Sequence, residues 1–326
     1  MDTKLYKQID QTSPARRVLV TATPIQNGLN ELSSLLHLVS KRTFANLADF
    51  FVKYQDPIEK ALSENADEAL KQEGEKQMAA LTTLSKDYIV RRTSEQVGKS
   101  FDQPINEFII WCKLTQKQKQ LYTKKNCSID EADIDQVDID QAEIDEEDIE
   151  QEDIEQKVIQ GIGLKVFSHL QLVCNSAQLV NVKQLAEQPL NLAESSKLKL
   201  VDAMLRKIHH HNKQMNPEDK MDKVVIVSNY KTMLSLCEKL CRQNGYSYFR
   251  LDGATPLHKR SKMVDKFRED KTFIFMISSR AGGVGINLSE ANHLIMLDSH
   301  WNPQNDIQAM ARITRLPQKK ECYIYR

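Results

Sequence analysis

From Lys223 to Arg326, short apolar runs alternate with amphipathic stretches, a pattern that few folds accommodate. Lys223-Val224-Val225-Ile226-Val227-Ser228 is a continuous apolar run with no polar face, as expected of a strand buried on both sides of a parallel sheet. Helical spacing follows over Met233 to Asn244, an apolar run over Tyr246 to Leu251, helical spacing over Pro256 to Arg268, and an apolar run over Thr272 to Ile277. A loop spans Ser278 to Gly285. Beyond it the pattern predicts a strand over His293 to Asp298, a helix over Asn305 to Thr314 and a strand over Cys322 to Tyr325. Helices alternating with apolar strands predict an α/β domain with a mainly parallel sheet, which takes its ligands at the carboxyl ends of the strands.

The upstream part is less regular. Arg17-Val18-Leu19-Val20 reads as a short buried strand. Leu29 to Val39, Phe44 to Tyr54 and Leu81 to Val90 carry helical periodicity, and Glu64 to Gln77 is polar, helix-prone and exposed. Ile105 to Leu114 alternates as a strand does. Val158 to Val180 and Ser195 to His211 read as helices.

Between these parts Ile129, Ile134, Ile139, Ile144, Ile149, Ile154 and Ile159 recur every five residues. On a helix, steps of five scatter side chains around the axis, and on a strand they alternate faces, so no apolar face forms. Ile129 to Gln156 also holds fifteen acidic residues and no Lys or Arg, and is expected to be disordered or transiently helical. A repeat expansion in a surface loop is preferred over an acidic interaction tract. The formal net charge of zero hides the remainder, where 45 basic residues stand against roughly 30 acidic ones. A body of that charge suits a polyanionic partner.

No apolar run approaches the roughly 18–20 residues needed to span a bilayer, so no membrane partner is expected. The polar N-terminus does not resemble a secretory signal. The six cysteines contain no C-x-x-C pair, which argues for reduced thiols and against zinc, and His209-His210-His211 reads as a solvated helix end. No metal site is expected.

Four stretches carry chemistry. Thr21-Ala22-Thr23-Pro24-Ile25-Gln26-Asn27 follows the first strand, and by itself is a plain turn into a helix. Arg250-Leu251-Asp252-Gly253 closes a strand and by itself is a turn. In Ser278-Ser279-Arg280-Ala281-Gly282-Gly283-Val284-Gly285-Ile286-Asn287-Leu288, three glycines let backbone amides approach a phosphate or sugar, although the loop lacks the Gly-Lys-Ser/Thr ending of a phosphate-binding loop. Finally, Gln308 to Gln318 places Arg312 and Arg315 three residues apart, on one face of the expected helix. That spacing suits phosphate, although an isolated pair of this kind is usually a surface pair.

Taken in order, and with Asp298-Ser299-His300-Trp301-Asn302-Pro303-Gln304-Asn305-Asp306, these stretches resemble the Swi/Snf family of superfamily-two helicase-like translocases. Val227-Ser228-Asn229-Tyr230 and Gln318 to Arg326 look most like the homologous-recombination, Rad-fifty-four-type branch. The resemblance implies two RecA-like lobes: residues 1–100 as the C-terminal part of lobe one, 101–194 as an inter-lobe helical region with the acidic insertion 129–156, and 195–326 as lobe two. It implies a nuclear, DNA-dependent ATPase that uses ATP with magnesium, translocates on double-stranded DNA and remodels protein–DNA complexes without separating strands. Arg312 and Arg315 would be arginine fingers. Gly282, Gly283, Gly285, Asp252 and Gln308 would face nucleotide. Thr21, Thr23, Asn27, Arg280, Asn287, Trp301 and Asn302 would couple nucleotide to DNA or contact it.

The sequence departs from the family pattern in several places. The phosphate-binding Gly-Lys-Thr loop and the magnesium-binding Asp-Glu pair are absent, so the expectation is a fragment that hydrolyses no ATP alone. Pro317 stands where the family has Gly, Thr314 where it has His or Trp, and Ser176-Ala177 where it has His-Pro. The alternatives are a nucleosome-remodelling ATPase of the same family and a non-enzymatic adaptor for DNA, a recombinase filament or histones.

Overall fold

In the computed structural model the described residues are 4–12, 14, 16–21, 25, 28–63, 66–92, 96, 103–127, 166–180, 185, 188–216, 218–279, 286–300 and 302–326. They pack as two units, Met1–Ser100 and Phe101–Arg326. The acidic segment 129–156 lies outside the described residues.

The described elements of the first unit are helical: α1 (Lys4–Gln11), α2 (Leu29–Val39), α3 (Leu47–Phe50) running through one wide turn at Phe51–Gln55 into α4 (Asp56–Ala61), and α5 (Glu68–Ser85). Short polar side chains start two of them. Asn46 accepts from the Ala48 amide and Asp67 from the Leu70 amide. Leu29, Leu32, Leu36, Phe44, Phe50, Tyr54, Ile58 and Leu81 form the core. The strand expected at Arg17–Val20 is not formed, and Val18 and Val20 are 86% and 95% exposed. Among the described residues of this unit there is no strand to pair with, and a lone apolar segment has nowhere to bury its side chains. The segment is instead held by Arg17, whose guanidinium donates to Ile9 O at 2.9 Å and Leu38 O at 3.0 Å. These carbonyls lie at the C-terminal ends of α1 and α2, where a cation is favoured.

The second unit contains β1 (Ile105–Phe108), α6 (Gln116–Cys127), α7 (residues 166–175) and α8 (Ser196–Gln214), followed by β2 (Val224–Ser228), α9 (Lys231–Asn244), β3 (Tyr248–Leu251), α10 (Leu257–Glu269), β4 (Ile274–Ser278), β5 (His293–Met296), α11 (Pro303–Met310) and β6 (Cys322–Tyr325). All strand pairs are parallel, in the order β1-β6-β5-β2-β4-β3. The α/β expectation therefore holds. Ile105–Phe108, from the stretch read as inter-lobe, is an edge strand of this same sheet.

Because strand side chains alternate, the continuous apolar runs fill two cores at once. Val224, Ile226, Ile274 and Met276 meet α8 and α9 on one face; Val225, Val227, Phe275 and Ile277 meet Phe267 of α10 on the other. Cys237 and Cys241 of α9 are buried in the first core, and burial pushes both thiols up, which leaves them packed and unreactive. His209 packs on Tyr246 and Phe273 at ring distances of 5.0 and 5.3 Å, whereas His210 and His211 are exposed.

Two polar devices close the sheet's N-terminal edge. Lys223 reaches across α10 to donate to Phe267 O and Asp270 O and lies 4.7 Å over the Phe267 ring. Asp222 meets Lys320 at 2.8 Å and His293 at 3.7 Å.

At Gly74 of α5 the backbone packs closely on α4. A Cβ there would stand 2.2 Å from Ala61 Cβ and 3.2 Å from Pro57 O. Gly74→Ala, which improves helix propensity, is expected to lower stability by about 1–3 kcal/mol through overpacking. An unchanged or higher midpoint in denaturant unfolding would contradict this close packing.

A second expectation concerns acid. Burial pushes the Asp222 carboxyl up, but the contacts from His293 and Lys320 outweigh it and hold the group well below its ordinary value of 3.8. A carboxylate depressed in the folded state adds stability above its unfolded pKa and loses that stability as pH falls through the folded one. Stability should therefore decline from about pH 4 downward. Lys320→Met should make the decline shallower, and equal acid slopes in parent and variant would refute the pairing.

Candidate functional site

Parallel strands all end at one edge of their sheet. From β2 the chain passes to β3 and β4 on one side, then crosses to β5 and β6 on the other. The carboxyl ends of β2 and β5 thus flank the switch point at which open α/β sheets form a crevice. The Asp252-Gly253 turn leaves β3, the glycine-rich stretch leaves β4, and the Asp298-to-Asp306 stretch leaves β5. Topology brings three stretches, scattered over sixty residues, to one edge.

The Asp252 carboxylate is committed locally. One oxygen accepts from Ala254 N at 3.0 Å and the other from Arg250 Nε at 3.0 Å, while Asp252 N donates to Thr255 Oγ1. Arg250 is held in turn by Glu238 and Ser235 of α9. Asn302 is buried and caps α11, accepting from Gln304 N at 3.0 Å. His300 donates its main-chain N–H to Asp306, whose carboxyl is pushed up by burial. Gln308 is half-buried on α11. Asn287 is also half-buried and accepts from Ser289 N.

Arg312 and Arg315 do not share a helical face. α11 stops at Met310, and both arginines stand in the turns that follow. The helix ends early because main-chain groups from 309 onward turn to other partners. Arg312 N closes a tight turn on Ala309 O, Leu288 N donates to Arg312 O at 3.0 Å, and Gln318 ties Ile313 O to Ala291 O. Arg312 is only 5% exposed and its guanidinium donates to Ile286 O at 3.5 Å, where the glycine-rich stretch ends. Burial, and secondarily the charge of Arg315, pushes the Arg312 guanidinium down to about 10, which leaves it charged at neutral pH. Arg315 is half-buried.

The crevice holds a polar cluster to which sequence reasoning assigned no role. Asp298, buried, accepts from Ser228 Oγ, from Asn229 N at 2.6 Å and from Asn175 Nδ2 at 3.1 Å. Lys197, the second residue of α8, donates to Asn175 Oδ1 at 2.7 Å and Leu297 O at 2.6 Å. Burial pushes Asp298 up and Lys197 down; the surrounding donors oppose the shift at Asp298, and the Asp298 charge opposes the one at Lys197. The available signal was an aspartate ending the apolar run Leu294 to Leu297, where burial of a charge requires partners. Thr21 is exposed, in the first unit. Thr23, Asn27, Arg280, Gly282, Gly283, Gly285 and Trp301 lie outside the described residues.

The SNF2-related domain family matches residues 1–179, more than half of the chain, and the helicase conserved C-terminal domain matches residues 200–317. The chain belongs to the SNF2-related family. It is 35% identical over 348 residues to the human DNA repair and recombination protein RAD54-like, covering 100% of this chain and 42% of that protein. It is 33% identical over 349 residues to the DNA repair and recombination protein RAD54 of Saccharomyces cerevisiae, covering 100% of this chain and 35% of that protein. This SNF2-related chain thus spans about two fifths of the length of these relatives. Among solved structures it is similar to the Sulfolobus solfataricus SWI2/SNF2 ATPase core in complex with dsDNA. That match has 21% identity and a TM-score of 0.49, and covers 99% of this chain and 59% of the other.

The burial of Arg312 gives it a measurable structural weight. Arg312→Gln should cost about 1–3 kcal/mol, because Ile286 O loses a charged donor in a closed site. Arg315→Gln should cost less, because Arg315 is less buried. Thermal unfolding of the two variants separates them, and equal losses would contradict the asymmetry.

Proposed function

We propose that this SNF2-related chain is part of a DNA-dependent ATPase of the recombination-repair type that moves along double-stranded DNA in the nucleus. The observation that carries this reading is the end-to-end match, at about one third identity, to proteins named for DNA repair and recombination. The gathering of three chemistry-bearing stretches at one sheet edge supports it.

The residues present fit the phosphate part of ATP. Arg315, in the turns after α11, supplies a guanidinium charge, and Arg312, buried, holds the exit of the glycine-rich stretch through Ile286 O. In phosphoryl transfer such charges offset the negative charge that develops on the transferring group, and loss of one costs about 10³–10⁵ in turnover. Among the described residues there is no group of three or more His, Cys, Asp or Glu that could hold a metal ion. The contribution of this chain is therefore charge and position: Arg315 toward phosphate, Arg312 as the buried post that fixes the loop exit, and the Asp252 and Asn302 turns as rigid supports. The 326 residues contain no Gly-x-x-x-x-Gly-Lys-Ser/Thr stretch, so in this reading they bind duplex DNA and hydrolyse no ATP by themselves.

DNA contact is expected mainly at phosphates, through the excess of Lys and Arg outside the acidic segment. Fluorescence anisotropy of a labelled duplex should show affinity falling linearly, on logarithmic axes, with salt at a slope of about 0.9 per neutralised phosphate. It should also be indifferent to base sequence. Absence of duplex binding at low salt would sink the reading, and DNA-stimulated ATP hydrolysis by the purified chain would sink its inactive-alone part. Deletion of 129–156 should leave DNA binding intact; loss of binding on deletion favours an adaptor built around the acidic tract.

A further inference from the structure

Helix α8 carries cations on its solvent face and no exposed acid to balance them. Lys199, Arg206 and Lys213 recur every seven residues, close to two full turns, so they fall on one side of the helix with Lys207 and His210 beside them. All five are exposed, and at about 1.5 Å per residue the row runs for roughly 21 Å. The single acidic residue of α8, Asp202, is buried; its carboxylate meets Arg206 at 2.8 Å and accepts from Asn244 Nδ2 at 3.1 Å. Lys199, Lys207 and Lys213 form no ion pair with any described residue. Folding alone does not account for this face. Helix surfaces gain stability from opposite charges four apart and lose it from like ones. The helix dipole favours a cation in the last turn, where Lys213 stands, but disfavours one in the first turn, where Lys199 stands and no acid does. Helix α10 shows the ordinary mixture instead: Lys259, Lys262 and Lys266 share its exposed surface with Asp265 and Glu269, and Asp265 meets Arg268 at 3.8 Å.

A straight row of cations suits a partner with regularly spaced negative charge. Duplex DNA carries one charge per ~1.7 Å of its axis, so a row of this length meets phosphates wherever it lands, with no base contact and no preferred register. We propose that the Lys199–Arg206–Lys213 face of α8 is a docking surface for the phosphate backbone of duplex DNA. This rests on the DNA reading above and gives part of that contact a place on the fold.

The test compares two triple variants that lose the same charge at different places. Lys199→Gln, Lys207→Gln and Lys213→Gln together strip α8; Lys259→Gln, Lys262→Gln and Lys266→Gln strip α10. Glutamine matches lysine closely in helix propensity, and all six side chains are exposed, so both variants should melt as the parent does. Anisotropy of a fluorescein-labelled duplex is followed over a range of salt. The α8 variant should lose about 2–3 from the logarithmic salt slope, at about 0.9 per phosphate contact, while the α10 variant keeps the parent slope. Lys199→Gln alone, expected to lose about one, decides the matter should the triple variant fail to fold. A parent-like slope in the α8 variant overturns the proposal, and so do equal losses in both variants, which would show diffuse attraction by net charge. Loss of binding to a labelled polyglutamate peptide with the DNA slope unchanged would make the face a dock for acidic protein and overturns it too. No duplex binding by the parent itself removes the DNA reading, and the proposal with it, and is distinct from each of these results.

Discussion

The second unit depends on the double pairing of β2. Val224 to Ser228 hydrogen-bond to β4 on one side and β5 on the other, and every residue of the strand is buried. A strand with both neighbours filled and both faces covered cannot shift register without exposing apolar surface and breaking two ladders. Its position forces the following connections to opposite sides, which parts the loops after β2 and β5. The crevice is a consequence of that parting, and Asp298, Ser228, Asn175 and Lys197 fill it.

A recurring solution holds the helices to this frame. Lys223 closes the carbonyl end of α10, Lys197 holds Leu297 O, Lys239 reaches Leu185 O and Gln188 O, and Arg17 spans the ends of α1 and α2. In each case a long cation satisfies main-chain acceptors that a helix end or loop leaves open. Burial pushes Lys197 and Lys223 down, a desolvation cost that nearby carboxylates and the carbonyl acceptors oppose.

The elements that were legible have a common physical character. The patterns of Leu29–Val39 and Cys322–Tyr325 give the observed limits, and that of β2 comes within a residue, because each buries a periodic set of side chains and so writes its geometry into its pattern. The failures are places where partners decide. Arg17–Val20 has strand composition and no strand beside it. Ile105 to Leu114 alternates for ten residues, yet only the first four form a strand, those paired with β6. The helix expected through Thr314 stops at Met310, since Leu288, Ala291 and Gln318 draw the main chain of the arginine stretch into turns.

The sequence by itself determined the α/β class, the ordering of strands and helices after Lys223, and the family, because periodicity and motif order are local properties of the chain. Tertiary structure decided which motif side chains are engaged within the fold and how deeply each is buried. Asp252 and Asn302 are engaged in holding their own turns, Arg312 is buried against Ile286 while Arg315 is only half-buried, and Asn175 mediates between Lys197 and Asp298 across more than a hundred residues of chain. A side chain's role follows from its neighbours in space and its depth from water, and these arise only when the parallel strands bring their carboxyl ends to one edge.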